Sequence, residues 1–184
     1  MWPLLVLLIA WSMSPGVSSS RQSPDDAALA EFSAAVDAYV ALHRQLEGPV
    51  PTIATSSDPD EIRRAIEALG AKIRGSRRTA RAGDIFTPAV ARVMRGRIDA
   101  GCGGDVDAVY TSAHDEAPRL RRPVVNGHWP GAAMTFMPPN VLCQLPTLPE
   151  ELEYRFVNRD LVLWDAHADV IVDVMSGALK PAKR

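Results

Sequence analysis

The stretch that decides the fold is LEYRFVNRDLVLWDAHADVIVDVM, which spans residues 152–175. Apolar side chains recur at every second position in three short runs, namely Tyr154 and Phe156, then Leu161 and Leu163, then Val170, Val172 and Val174. Asn158 and Arg159 fit a tight turn between the first two runs. Alternation with a period of two is typical of antiparallel strands that bury one face. The stretch therefore predicts a small, half-buried antiparallel sheet.

Three segments ahead of this stretch have the pattern of amphipathic helices. Each begins with a capping residue followed by a proline, which is a frequent start of a helix: Ser23–Pro24, Asp58–Pro59 and Thr87–Pro88. The first helix is predicted to end before Gly48, the second near Gly75 and the third near Gly101. Helices before strands predict an α+β domain, with a helical part (21–104) followed by an antiparallel β part (105–176).

The region between the helices and the final sheet is less regular. Residues 120–130 are predicted to form an edge strand interrupted by Pro123, and residues 132–137 a short strand. Residues 138–146 fit either a helical turn or an extended crossover. Two subdomains that divide near residue 105 remain an alternative to one domain. The last residues, 177–184, are small, polar and basic and predict a flexible tail.

The N-terminus predicts export. MWPLLVLLIAWSM is an uncharged apolar run of about a dozen residues, too short for a membrane span of roughly 20 residues. The small residues that follow it predict a signal peptide at 1–20, with cleavage between Ser18 and Ser20. No Lys or Arg precedes the apolar run. A short membrane-associated stub is the alternative.

A secreted or periplasmic chain has its two cysteines, Cys102 and Cys143, in an oxidising compartment, where they are candidates for a disulfide; two free thiols are the alternative.

The turn after Leu163 contains the best candidate for a metal site. Asp165, His167 and Asp169 are spaced two residues apart, and carboxylates and imidazoles are ligands for divalent metals. The set is chemically mixed and has only three donors. We therefore expect a solvated polar turn with no cofactor, and keep a divalent metal as the alternative.

Charge is distributed unevenly although the formal net charge is only −2. Residues 21–60 hold 2 basic and 7 acidic residues, whereas residues 61–100 hold 10 basic and 4 acidic residues. The densest basic stretch contains the anion-binding candidates Lys72, Arg74, Arg77, Arg78 and Arg81. An exported protein seldom meets nucleic acid, so an anionic surface or an envelope protein is the expected partner. The alternative is that the basic second helix faces the acidic first helix inside one fold.

Motifs of known enzyme classes are absent from the sequence. It contains no GxSxG, HExxH, Walker loop or GxGxxG pattern. A hydrolytic site assembled across the fold from Asp105, His114, His128 and Asp165 stays open, because such sites need no linear motif.

Two segments carry a resemblance to a known group of proteins. GDIFTP (83–88) before the third helix and LPEELEYRF, DLVLWD and IVD near the end are its most specific parts. With them the chain resembles an uncharacterised family of small secreted bacterial proteins. The resemblance implies an exported bacterial protein and carries no activity, cofactor or catalytic residue with it. We therefore predict an exported, non-catalytic binding or envelope-associated module. A periplasmic metal-binding or metal-responsive protein and a small hydrolase are the alternatives.

Overall fold

The computed structural model describes residues 23–48, 56–114, 120–131 and 135–180. Helices occupy most of the described residues up to 114, and a three-stranded antiparallel sheet occupies residues 152–175. The predicted α+β architecture, with its helical part first, is therefore confirmed. The predicted signal peptide lies outside the described residues.

The first three helices begin directly after the predicted capping residues. They are α1 (Pro24–Glu47), α2 (Pro59–Ser76), α3 (Pro88–Gly101), α4 (Val106–His114) and the short turn α5 (Pro139–Leu142). The side chains of Ser23, Asp58 and Thr87 each accept a hydrogen bond from a backbone N–H in the first turn of α1, α2 and α3. Helix α4 falls in the part predicted as β structure. Asp105 caps it by accepting from the Ala108 N–H at 2.8 Å.

The sheet consists of β1 (Leu152–Val157), β2 (Asp160–Asp165) and β3 (Val170–Met175), in the order β1-β2-β3. Asn158 and Arg159 form the predicted turn between β1 and β2, and Asn158 takes the left-handed conformation with φ 54°. Residues 166–169 connect β2 to β3, and Asp169 is also left-handed, with φ 47°. Asparagine and aspartate tolerate this conformation better than most residues do.

The sheet is buried on both faces, which corrects the prediction of a half-buried sheet. One face packs in the main core with α1 and α3, through residues that include Phe32, Val90, Phe156, Leu163 and Val172. The opposite face forms a second apolar cluster with the segment that precedes α5, through Leu120, Val157, Val162, Ile171 and Val174. A bulge in β3 changes which face its later residues occupy. Asp173 pairs with Leu163 but Ile171 pairs with Trp164, so Val172 and Val174 lie on opposite faces of the sheet.

Asp173 organises the loop that contains the GDIF sequence. This wholly buried carboxylate accepts backbone N–H bonds from Gly83 at 2.8 Å, Ile85 at 2.7 Å and Phe86 at 2.6 Å, and one from the adjacent Val174. Those bonds hold the loop against β3, with Ile85 and Phe86 in the core immediately before the cap of α3. The conspicuous motif is thus explained by its packing against β3.

Helix α2 approaches the β2–β3 turn so closely that only glycine fits. A Cβ atom on Gly70 would lie 2.2 Å from the carbonyl oxygen of Ala168. Gly101 plays the same part where α3 meets α5, because its Cβ would lie 2.7 Å from the Asn140 carbonyl oxygen. The backbone contacts at these two points fix how the helices sit against the rest of the domain.

Two other predictions need correction. Residues 120–131 contain no regular strand but form an irregular segment that covers the sheet, where the Asn126 N–H donates to the Ile171 carbonyl at 2.8 Å. Residues 135–137 are not a strand either, while 132–134 lie outside the described residues. The predicted flexible tail does not begin at residue 177, since Ala178 and Leu179 are buried and 181–184 lie outside the described residues. Among the described helices, none is long and apolar enough to cross a membrane.

Candidate functional site

Asp165 lies at the centre of a buried polar network. Its carboxylate oxygen Oδ2 accepts a hydrogen bond from the Tyr39 hydroxyl at 2.7 Å and lies 2.6 Å from Nδ1 of His43. Its other oxygen accepts from the N–H groups of His167 and Ala168. Tyr39 and His43 are one turn apart on α1, so the network joins α1 to the β2–β3 turn. The carboxylate is satisfied on both oxygens by the protein itself.

The network raises the pKa of His43. Burial by itself lowers that pKa, but the hydrogen bond to Asp165 and the charges of Asp165, Glu47 and Glu151 outweigh it. Burial and the neighbouring Asp165 also raise the pKa of the Tyr39 hydroxyl. Nε2 of His43 has no hydrogen-bond partner among the described residues and lies 3.6 Å from a carboxylate oxygen of Glu47. Because the His43 side chain is wholly buried, this aspartate–histidine pair braces the fold and is closed to a substrate.

Asp169 belongs to a different cluster. Its Oδ2 lies 2.9 Å from Nδ1 of His128, and its Oδ1 accepts from the Trp129 backbone N–H and from the Trp164 indole N–H. The two indole rings are in contact, with centroids 5.1 Å apart. The polar groups thus anchor the covering segment 120–131 to the turn after β2.

The structure does not bring together the residues of the alternative metal site, and the expected solvated turn is wrong for Asp165, which is wholly buried. Asp165 is bound to α1, Asp169 is bound to His128, and His167 is held near Asp165 by its backbone, so the three side chains do not converge. Across the described ranges, no three or more His, Cys, Asp or Glu side chains form a group suited to a metal ion. The two carboxylates are held by different parts of the fold: Asp165 is bonded to α1, whereas Asp169 is bonded to the covering segment 120–131.

The residues considered for a hydrolytic site also have separate partners. Asp105 caps α4, His128 pairs with Asp169, and Asp165 pairs with His43. The side chain of His114 lies outside the described part of the chain. Within the described part of the chain, no contact joins Asp105, His128 and Asp165 to one another.

The predicted anion-binding stretch is divided between two roles. Arg77 donates to the Val172 carbonyl and to Asn126, and its guanidinium lies 5.0 Å from the centre of the Tyr39 ring. Arg74 donates to the Asp169 carbonyl at 3.4 Å. These two arginines therefore attach α2 to the sheet and its cover. Lys72, Arg78 and Arg81 remain exposed.

The cysteines are both free thiols in the structure, and the predicted disulfide is not formed. Cys102 is buried at the end of α3, and burial raises the pKa of its thiol. Cys143 is exposed just after α5, where its thiol donates to the Asn140 carbonyl at 3.3 Å.

A cavity of about 480 Å³ lies beside the edge strand β1. Its apolar walls are formed by Met137, Leu142, Leu145, Pro146, Leu148 and Leu152. Cys143, Tyr154 and the ion pair of Glu153 with Arg155 supply its polar groups. An apolar cavity with a few polar groups is the usual form of a small-molecule site.

Tyr154 is one of three described residues at this cavity with a buried polar atom that lacks a hydrogen-bond partner, together with Glu153 and Arg155. Its hydroxyl oxygen is buried and has no hydrogen-bond partner among the described residues. Burial raises its pKa, and the nearby charge of Arg97 lowers it less. A hydroxyl in such a place normally has a partner, because an unpaired one costs about 1–3 kcal/mol.

The backbone of Tyr154 faces the same side as the cavity. On either side of it, the Leu152 N–H donates to the Pro149 carbonyl and the Phe156 carbonyl accepts from the Thr135 hydroxyl. Alternate residues of an edge strand direct their backbone groups the same way. The N–H and carbonyl of Tyr154 therefore point away from β2, toward the segments that line the cavity.

Most residues of the buried polar network and of the cavity beside β1 were not predicted from the sequence. Tyr39 and His43 lie on the buried stripe of α1, and a histidine within such a stripe is a signal for a buried polar partner. Tyr154 was recognised only as an apolar position of β1. Comparison with known proteins adds nothing to these assignments: no family model, curated protein or solved structure matches the chain.

Proposed function

We propose that this chain is an exported, non-catalytic binding protein, and that the cavity beside β1 holds a small, mainly apolar ligand with a hydrogen-bonding group. The proposal is carried by a cavity of about 480 Å³ whose lining includes Tyr154, a residue with a buried hydroxyl that has no hydrogen-bond partner among the described residues. A ligand acceptor or donor at that hydroxyl would supply the missing hydrogen bond. The apolar walls would take up the rest of the ligand.

The contrast with the other polar clusters supports binding over catalysis. Asp165, Asp169 and Asp173 are each engaged by two or more groups of the protein, and each connects segments that are distant in the sequence. They are therefore occupied in holding the fold. The export part of the proposal is supported by the apolar N-terminal run and by the resemblance to small secreted proteins.

The matched substitution Tyr154→Phe tests the ligand site in two directions. Without ligand, removing an unpaired buried hydroxyl is expected to increase the free energy of unfolding by about 1 kcal/mol. With ligand, the lost hydrogen bond is expected to lower the affinity about tenfold, which corresponds to about 1.4 kcal/mol. The opposite signs distinguish a ligand-binding hydroxyl from a structural one. Tyr110→Phe is the control, because Tyr110 does not line the cavity.

The measurement starts from protein purified from its natural host. Native mass spectrometry would show whether a small molecule accompanies the chain, and urea unfolding after removal of that molecule would give the stability of each variant. If nothing accompanies the chain, or if ligand-free Tyr154→Phe is less stable than the unsubstituted protein, the ligand proposal fails. The same mass spectrum tests export, because the mature chain should lack about 20 N-terminal residues.

A further inference from the structure

A second cavity, of about 530 Å³, lies at the far side of the sheet. The loop after α2 forms one wall with Arg81, and the covering segment forms another with Arg122, Pro123 and Val124. The end of β3 closes it with Val174. This cavity shares no lining residue with the cavity beside β1.

Two arginine side chains at this cavity form no ion pair with any described acidic residue. Arg81 and Arg122 are both exposed, and no ion pair of either is found among the described residues. Other arginines in the described chain do form such pairs, for example Arg44 with Glu151 and Arg159 with Asp107. The two arginines come from segments about 40 residues apart and line one cavity only in the folded chain.

The carboxylates near these arginines are already engaged. Asp160 lines the cavity, and its Oδ1 accepts the backbone N–H of Gly177 at 2.8 Å. Asp84 accepts the backbone N–H of Arg81, also at 2.8 Å. Each carboxylate thus fixes a loop at the cavity and leaves the two guanidinium groups to other partners.

The apolar lining makes this cavity more than a basic patch. Val124 is 66% exposed, the most exposed large hydrophobic residue described, and Pro123 and Val174 lie beside it. An exposed valine next to unpaired arginines suits a ligand with two chemically different parts. Arginine binds carboxylate and phosphate oxygens through paired N–H donors, whereas valine and proline favour contact with hydrocarbon.

We propose that this cavity is a separate binding site for a small organic anion. Arg81 and Arg122 would bind its carboxylate or phosphate, and Val124 and Val174 would contact its apolar part. Of the five basic residues singled out from the sequence, only Arg81 has this place in the structure. Arg122 joins it through the fold.

The test uses octyl phosphate below its micelle concentration as the probe, with the mature chain labelled for amide NMR. We expect octyl phosphate to shift the amide signals of Arg81, Val124 and Ser176 in a saturable way. Octyl glucoside has the same apolar chain with an uncharged head group, and inorganic phosphate has the head group alone. Both should bind at least about tenfold more weakly, because each lacks one half of the recognition.

Arg122→Gln should weaken octyl phosphate binding about tenfold by removing one charged hydrogen-bond donor. Arg121→Gln is the matched control, because Arg121 is also exposed but does not line the cavity, and it should leave the affinity unchanged. Equal losses in both variants, or equal affinity for octyl glucoside, would overturn the proposal. Sedimentation with phosphatidylglycerol vesicles without any shift by octyl phosphate would also overturn it, in favour of a membrane surface. Tyr154→Phe should not affect this binding, which separates the two sites.

Discussion

Asp173→Asn should destabilise the protein strongly while leaving its shape almost unchanged. One oxygen of Asp173 accepts from Gly83 and Val174, and the other accepts from Ile85 and Phe86. Asparagine has nearly the same size but presents an NH₂ group in place of one oxygen. Whichever way the amide is turned, two buried N–H groups then face a donor.

The magnitude follows from those two groups. Each buried donor that loses its acceptor costs about 1–3 kcal/mol, so two of them cost about 4 kcal/mol. Domains of this size are stable by about 5–15 kcal/mol, so the variant should still fold. With a urea dependence of about 2 kcal/mol per molar, the midpoint of unfolding should fall by about 2 M.

Urea unfolding followed by tryptophan fluorescence measures this loss, and amide exchange locates it. The N–H groups of Ile85 and Phe86 should exchange much faster in the variant, since they lose a buried acceptor. Asp84→Asn is the control in the same loop, because exposed Asp84 accepts only the Arg81 N–H and should matter by less than about 1 kcal/mol. A loss below about 1 kcal/mol for Asp173→Asn would refute the view that this carboxylate holds the GDIF loop.

Two further predictions concern α1 and α2. The pKa of His43 is raised above its ordinary value of 6.5, so the stability from its pairing with Asp165 is fully present below that pH and is lost as pH rises through the raised pKa. Urea unfolding between about pH 6 and pH 9 should show this decline, and His43→Gln should lack it; an equal slope in both proteins would contradict the pairing. Gly70→Ala should destabilise by about 2–3 kcal/mol, because its Cβ would lie 2.2 Å from the Ala168 carbonyl. Gly96→Ala, at a helical site with open space around it, should instead stabilise slightly, and similar unfolding midpoints for the two variants would argue against the close approach.

The parts of the fold that were predictable depend on neighbours in the sequence. Ser23, Asp58 and Thr87 cap helices through bonds to residues two or three positions away, and the turn at Asn158 is local as well. Such bonds depend on residue types within a few positions, so the pattern alone predicts them. Helix α4 was missed because its short apolar pattern lies in a region rich in turn residues.

The bulge in β3 shows where periodicity fails. Val170, Val172 and Val174 alternate perfectly in the sequence, yet Val174 lies on the opposite face from Val172 in the structure. An extra residue in the strand reverses every later position, and the alternation gives no warning of it. The covering segment 120–131 was likewise mistaken for a strand, because Leu120, Val125 and Trp129 pack against the sheet although the segment forms no regular strand.

By itself, the sequence determined the α+β order, the start of three helices and the hairpin from Leu152 to Asp165, because short-range sterics and hydrogen bonds govern each of them. Only the tertiary structure decided which polar groups meet. Tyr39 and Asp165 are 126 positions apart, and Asp173 reaches Phe86 across 87 positions. Contacts at such separations arise from packing, which also places Arg81 and Arg122 at one cavity and leaves the Tyr154 hydroxyl without a partner among the described residues. The candidate sites of this protein belong to that second group.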